Sequence, residues 1–251
     1  MDAFALQAKA VCVEFPGVKA LDHVDFSLMP GEIHALVGAN GAGKSTLMNV
    51  LAGTNPSYGG EVWLDGRAVE LRSPAAAKKL GIQIVCPEVD PALAPARSAA
   101  ENMLRDELGS PGRRWINGRA LYQRAERLKD QLHLGFDLRT PVHRLTLAQK
   151  QMVLIARALH SRCQILLLDE PTAPLSAVET ETLFALCRDL VQGRRLAIVF
   201  VSHRLPEVLR ICDRYTVLRN GRLAASAPIT PQTTADQLVA HMLGTERKPV
   251  R

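Results

Sequence analysis

The chain has no apolar run approaching the about 18 residues that a membrane-crossing helix requires, and its first residues show no leader pattern. Nothing in it calls for a bilayer span or for export, so it is expected to work in the cytosol. Its five cysteines, Cys12, Cys86, Cys163, Cys187 and Cys212, are scattered without a Cys-x-x-Cys pair. That spacing argues against a disulfide framework or a structural zinc site and predicts reduced, mostly buried thiols. No internal repeat is present. The net charge of +6 is too small to require a polyanionic partner, and no nucleic-acid-binding motif accompanies it, so nucleic acid is not an expected partner. Several basic residues (Arg113, Arg114, Arg119, Arg124, Arg127, Lys129) lie interleaved with Trp115 and Tyr122 in one stretch and read as a solvated face, with an anionic membrane surface as the alternative neighbour. With 251 residues and 47% hydrophobic content the chain can bury a substantial core as one domain with an inserted subdomain.

What is there begins with residues 38–45, Gly-Ala-Asn-Gly-Ala-Gly-Lys-Ser, which fit the pattern G-x-x-x-x-G-K-[ST]. The apolar run 33–37 before it reads as a buried strand, and residues 46–51 read as the start of a helix. In that context Gly38, Gly41 and Gly43 let the backbone, with Asn40 and Ala42, turn N–H groups onto phosphate oxygens at the positive end of a helix. Lys44 neutralises β- and γ-phosphates, Ser45 offers a hydroxyl to a bridging Mg2+, and Thr46 adds a donor. The motif predicts a bound nucleoside triphosphate.

A second run, Ile165-Leu166-Leu167-Leu168-Asp169-Glu170, reads as a buried parallel strand whose carboxyl end opens toward the ligand crevice. Asp169 is then placed to hold Mg2+, and Glu170 to orient and deprotonate a water beside the γ-phosphate. Residues 198–201 read as another buried strand, which carries His203 to the same edge.

Taken in order, these landmarks resemble the nucleotide-binding cassette of an ABC ATPase. Phe15, 29 residues before Lys44 (44 − 15), stands where that family places an aromatic against adenine. Leu145-Thr146-Leu147-Ala148-Gln149 resembles the family signature L-S-G-G-Q, and His203 matches its histidine on the γ-phosphate. Residues 15–21, 169–176 and 213–221 are phrased as in ATPase subunits of bacterial monosaccharide importers of the ribose, galactose and xylose kind. The resemblance implies an α/β fold: a P-loop NTPase core of ABC-ATPase type, with an antiparallel β subdomain and an inserted helical subdomain. It also implies ATP and Mg2+ as ligands, Glu170, His203 and Lys44 as catalytic groups, and Thr146, Ala148 and Gln149 reaching the ATP of a second cassette. The implied partners are membrane permease subunits, a second cassette (a like copy or a tandem one) and, indirectly, a periplasmic sugar-binding protein, with the chain peripheral on the inner membrane face. Those subunits usually carry two cassettes, and this chain carries one, resembling the first.

Three departures bear on function. Aligning residues 84–88, Ile-Val-Cys-Pro-Glu, with the family's I-V-H-Q-E puts Pro87 where a glutamine should touch Mg2+ and the attacking water, and proline has no side-chain amide. The segment from Val89 to Pro95 is longer than usual by about two residues. Gln83, four residues early, is not expected to take the glutamine's place from a strand. Milder is the signature, where Thr146 keeps the hydroxyl of the usual serine and Ala148 adds a Cβ that limits backbone approach. Pro87 motivates an alternative: a slow or non-hydrolysing regulatory cassette that needs a different partner cassette.

The expected organisation is one domain over residues 1–251. An antiparallel sheet occupies about residues 8–36, a helical insertion about 88–145, and a peripheral C-terminal helix about 230–244. Gly193 is expected at the end of the helix before the strand leading to His203.

Overall fold

The computed structural model describes residues 4–86, 88–108, 118–161, 163–194 and 196–245, so Pro87, Arg113, Arg114 and Trp115 lie outside the described residues. Contacts divide the chain into two compact units. The first comprises residues 1–84, 164–170 and 187–251, and the second residues 85–163 and 171–186.

The first unit opens on strands β1 (Leu6–Phe15) and β2 (Val18–Leu28), continues through β3 (Ile33–Val37) and helix α1 (Lys44–Leu51), and then β4 (Gly59–Leu64), β5 (Arg67–Val69), α2 (Pro74–Lys79) and β6 (Ile82–Val85). After the second unit it resumes with β7 (Ile165–Asp169), the end of α7 (Ala177–Arg194), β8 (Ala197–Val201), α8 (Leu205–Ile211), β9 (Arg214–Arg219), β10 (Arg222–Pro228) and α9 (Ala235–Leu243). These strands make a four-stranded antiparallel sheet in the order β2-β1-β4-β5 and a six-stranded sheet in the order β10-β9-β3-β8-β7-β6.

β3 pairs parallel with both β8 and β9, so it belongs to the larger sheet, and β4 and β5 replace it in the antiparallel one. The period of the burial explains why. β1 and β2 alternate between buried and exposed positions, whereas all five residues of β3 are buried, which only a strand covered on both faces sustains. The cost of that position falls on His34, which is fully buried. Its Nδ1 sits 3.0 Å from Glu32 Oε1 and its Nε2 2.8 Å from Thr216 Oγ1, so both ring nitrogens are satisfied.

β7 and β8 are likewise apolar throughout their buried length, and their parallel register brings Asp169 opposite Val201. The core of this unit gathers side chains of β1, β2 and β4 with those of β7 and β8 and the inner face of α1 (Leu47, Met48, Val50, Leu51). Each such fully buried aliphatic side chain contributes about 1.5–3 kcal/mol.

Gly193 does not end α7: the helix runs through it to Arg194. By contrast α9 stops where a left-handed residue is required, at Gly244 with φ 74°. Of the five cysteines only Cys187 and Cys212 are buried, whereas Cys86 is exposed. Burial pushes the Cys187 thiol up to about 12 and Cys212 well above its ordinary value, so neither is a nucleophile at neutral pH.

The second unit is helical, with α3 (Ala99–Met103), α4 (Arg105–Leu108), α5 (Gly118–Gln131), α6 (Leu147–His160) and the first half of α7. α3 and α6 start on complete capping boxes, Ser98 with Glu101 and Thr146 with Gln149. Two of the basic residues on α5 are not simply solvated, since Arg124 pairs with Glu107 at 2.7 Å and Lys129 lies 3.8 Å from Glu126.

Candidate nucleotide-binding site

Between β3 and α1 the chain turns through Gly41 (φ 77°) and Gly43 (φ 105°), conformations that L side chains rarely adopt. At Gly43 a Cβ would also stand 2.8 Å from the Ala20 carbonyl oxygen, so only glycine fits. Gly43 is the N-cap of α1 and no side chain caps it, so the helix presents its first N–H groups to whatever lies in front. In front is a cavity of about 610 Å3, lined by Phe15, Lys19, Asn40, Gly41, Gly43, Lys44, Ser45, Thr46, Asp169 and Glu170 among others. Gly38 and Ala42 support it without lining it. The Gly38 carbonyl accepts from Lys44 Nζ at 2.8 Å, and Ala42 is only 4% exposed.

The charges in the cavity are mutually dependent. Burial lowers the pKa of Lys44, against the opposing pull of Glu170 and Asp169. Burial raises the pKa of Asp169, Glu170 beside it raises it further, and Lys44 offsets part of the rise. A half-buried carboxylate whose pKa is raised by desolvation and a second acid gains from any cation brought next to it. Glu170 is held in a left-handed conformation (φ 47°), its N–H donating to the Val201 carbonyl at 3.0 Å. Backbone strain of this kind gathers at functional positions, where the surroundings over-determine it. His203 does not line the cavity, but its Nδ1 lies 3.3 Å from Glu170 Oε1.

Thr146, Ala148 and Gln149 lie in the second unit. The Thr146 hydroxyl accepts from the Gln149 N–H at 3.2 Å, and Gln149 Oε1 accepts from the Thr146 N–H at 3.0 Å. The cap uses oxygen lone pairs, so the Thr146 O–H is not consumed as a donor and can point outward. Ala148 is turned inward, 6% exposed, and lines a cavity of about 200 Å3 with Leu134, Phe136 and Met152. Its Cβ packs inside the unit, which accounts for alanine at this signature position. Replacing Thr146 with Ala should lower unfolding stability by about 0.5–2 kcal/mol, measured as a denaturant midpoint shift, whereas Thr146→Ser should retain most of it.

Five lining residues, Val18, Lys19, Ala20, Asn220 and Gly221, have no motif of their own. Asn220 and Gly221, the turn between β9 and β10, form one wall, and Lys19 stands beside them. The Gly221 N–H donates to the Ala42 carbonyl at 3.1 Å, and the Gly221 carbonyl accepts from the Asp22 N–H at 2.7 Å, so this turn braces the phosphate loop against β2. An Asn-Gly dipeptide marks a turn in any sequence, but nothing local says which cavity it faces. Asp22 accepts from Lys19 Nζ at 2.6 Å and from Arg222 Nε at 2.7 Å, contacts that hold its carboxyl far below the ordinary range. Cys12, Asp22 and His23 bring three ligand-type atoms within 4.8 Å of one another. With both carboxylate oxygens already engaged by cations, this cluster is an ion-pair hub.

A family profile described as ABC transporter matches residues 21–173. The chain is 43% identical over 241 residues to the ribose import ATP-binding protein RbsA 1 of Rubrobacter xylanophilus, covering 95% of this chain and 47% of that protein. It is 43% identical over 232 residues to a putative ribose/galactose/methyl galactoside import ATP-binding protein 1 of Burkholderia lata, covering 92% of this chain and 44% of that protein. The chain thus spans about half the length of the curated relatives it matches. Among solved structures, the ADP conformation of MJ1267, an ATP-binding cassette of an ABC transporter, superposes with a TM-score of 0.83 at 25% identity, covering 96% of this chain and 99% of that one. Phosphate loop, acid-tipped strand, profile and relatives agree: the chain belongs to the ABC transporter family as one of its ATP-binding cassettes.

Proposed function

We propose that the chain is the ATP-hydrolysing cassette of an ABC importer for a monosaccharide, acting as a single domain over residues 1–251 with residues 88–145 as its helical subdomain. The observation that carries the reading is the convergence on one cavity of Lys44, Ser45, Asp169 and Glu170, with His203 against Glu170. The names of the relatives, ribose import among them, support the sugar class.

In this reading Phe15, 47% exposed at the mouth, stacks on the base, and the backbone around Gly41 and Gly43 cradles the phosphates with Lys44. Ser45 and Asp169 supply hard oxygen donors of the kind Mg2+ prefers, and the raised pKa of Asp169 marks it as the acid that benefits from that cation. When bound, Mg2+ offsets the charge that develops on the phosphate oxygens. Glu170 takes a proton from water as the water oxygen bonds to the γ-phosphorus and the bond to the ADP oxygen breaks. His203 holds the γ-phosphate and keeps Glu170 oriented. Thr146 and Gln149 of a second cassette close over the nucleotide, and closure drives permease subunits that receive the sugar from a periplasmic binding protein. The cassette then works in the cytoplasm, peripheral on the inner membrane face. No helix among the described residues is long and apolar enough to cross a membrane.

Removing the Phe15 ring with Phe15→Ala should weaken ATP binding roughly 5- to 150-fold, the value of one base–aromatic stack of about 1–3 kcal/mol, as read from fluorescent-nucleotide displacement. Phe15→Tyr should restore it. The importer reading is tested by Mg2+-dependent phosphate release, first from the chain alone over a range of concentrations and then with its permease in vesicles. Turnover rising more than linearly with protein, and stimulated by permease and sugar-loaded binding protein, is the expected result. ATP binding without turnover at any concentration would favour the regulatory cassette that Pro87 suggests. Pro87→Gln should then strengthen permease stimulation if the proline weakens coupling.

A further inference from the structure

The segment that follows Pro87, residues 88–95, is tied down at nearly every second residue. It forms a 3-10 turn at Asp90–Ala92. Asp90 Oδ1 accepts from Lys150 Nζ at 2.7 Å, and the Ala92 carbonyl accepts from Arg157 Nη1 at 2.9 Å. Asn102, 1% exposed, makes a two-way bond to Ala94: its Oδ1 accepts from the Ala94 N–H at 2.7 Å and its Nδ2 donates to the Ala94 carbonyl at 3.1 Å. The Pro95 carbonyl accepts from the His143 N–H at 3.0 Å. All of these residues belong to the second unit.

Two of the ties come from α6, one from each half of the helix. Lys150 follows Gln149 directly and sits one turn from the Thr146 cap, while Arg157 lies two turns further on. The Lys150 side chain is only 15% exposed although its partner Asp90 is 71% exposed, so the cation is half-committed to the interior and its direction is fixed by the pairing. A helix whose N-terminal residues close over a nucleotide is thereby fastened, at its first turn and again in its last, to the segment that follows Pro87. A rigid helix with two attachment points moves that segment with it, and no amide at position 87 is needed for the movement.

We propose that the Asp90–Lys150 pair is a positioning latch that relays the nucleotide state sensed at Thr146 and Gln149 to the segment 88–95, in place of the side-chain amide that Pro87 lacks. Asp90 and Lys150 touch neither nucleotide nor reacting atoms in this scheme; they act through α6. The inference rests on the reading that Thr146 and Gln149 close over ATP.

The test is amide hydrogen exchange on the full chain carrying Glu170→Gln, which keeps ATP intact, with and without Mg-ATP. Expected is a several-fold slowing on ATP addition in two segments, 146–150 and 88–95. Lys150→Met should abolish the slowing at 88–95 and leave that at 146–150. The exchanged pair, Asp90→Lys with Lys150→Asp, should restore it, which a purely structural role of either residue would not do. Asp90→Asn, on the exposed side of the pair, repeats the test where folding is not at stake. ATP-dependent slowing at 88–95 that survives both Lys150→Met and Asp90→Asn would overturn the latch while leaving the cassette reading intact. Slowing in neither segment would overturn the latch together with the closure of α6 over ATP. The identity of the transported sugar enters none of these outcomes.

Discussion

Glu170→Gln is expected to lower Mg2+-dependent phosphate release by about 10²–10⁴-fold while leaving ATP affinity within a few-fold of the parent, as measured by single-turnover hydrolysis beside equilibrium nucleotide binding. The geometry separates the two quantities. Glu170 lines the cavity at the end of β7, but the groups positioned for the phosphates are the loop backbone, Lys44 and Ser45 at the start of α1. An amide can still hold a water by hydrogen bonding, yet it has no proton-accepting charge, so the loss falls on the chemical step. His203 makes a second check possible. Its Nδ1 lies 3.3 Å from Glu170 Oε1, so His203→Ala should also slow turnover, and in the Glu170→Gln background it should add much less than it costs alone. Full additivity would mean that the two side chains act separately. Lys44→Ala gives the contrasting signature, because it should lose binding as well as turnover.

The site was legible wherever chemistry is written in a local pattern. Residues 38–46 announce themselves because phosphate binding needs glycine, lysine and hydroxyl at fixed spacing on one strand–helix turn. The strand ending in Asp169, with Glu170 just beyond it, is also legible, since a four-residue apolar run closing on two acids has the length and pattern of a buried strand with a polar end. Less legible were contributions set by distant pairing. β3 reads as one more strand of an N-terminal antiparallel sheet until its partners β8 and β9, far along the chain, place it in the parallel one. Asn220 and Lys19 reach the cavity only because β9 lies beside β3, and the turn after β9 lies against β2. Ala148 looked like an intrusion near a phosphate because the sequence shows the methyl group and not its direction; the helix turns it inward. Gly193 misled for a related reason. Its flexibility suits a C-cap, but the helical hydrogen bonding of α7 carries through it at a modest cost in backbone entropy.

Asp169→Asn should move stability and activity in opposite directions. In the nucleotide-free protein burial and the neighbouring Glu170 raise the Asp169 pKa, so the ionised carboxylate is less at home in the folded chain than in the unfolded one. Between the ordinary and the raised pKa the folded state binds more protons, and stability therefore falls as pH rises through that interval. Below the ordinary carboxylate pKa the penalty is absent, and above the raised value it is complete. Asparagine has no charge to desolvate, so at neutral pH and without nucleotide the variant should melt above the parent, and the gap should close on acidification. Lys44 loses one attraction in the variant but keeps Glu170, and burial outranks both carboxylates among the causes acting on that lysine. With Mg-ATP the order should reverse. A ligand at 100 times its dissociation constant adds about 2.7 kcal/mol, or roughly 5–11 °C for a domain of this size, and the parent collects that gain while the variant forfeits the Mg2+-dependent share. Turnover should fall by about 10²-fold or more, the scale of a lost metal contact in phosphoryl transfer. Differential scanning of both proteins with and without Mg-ATP, at neutral and mildly acidic pH, reads all of this in one series. A variant that melts below the parent under every condition would mean that Asp169 is structural, held by its neighbours for the fold and not for the cation.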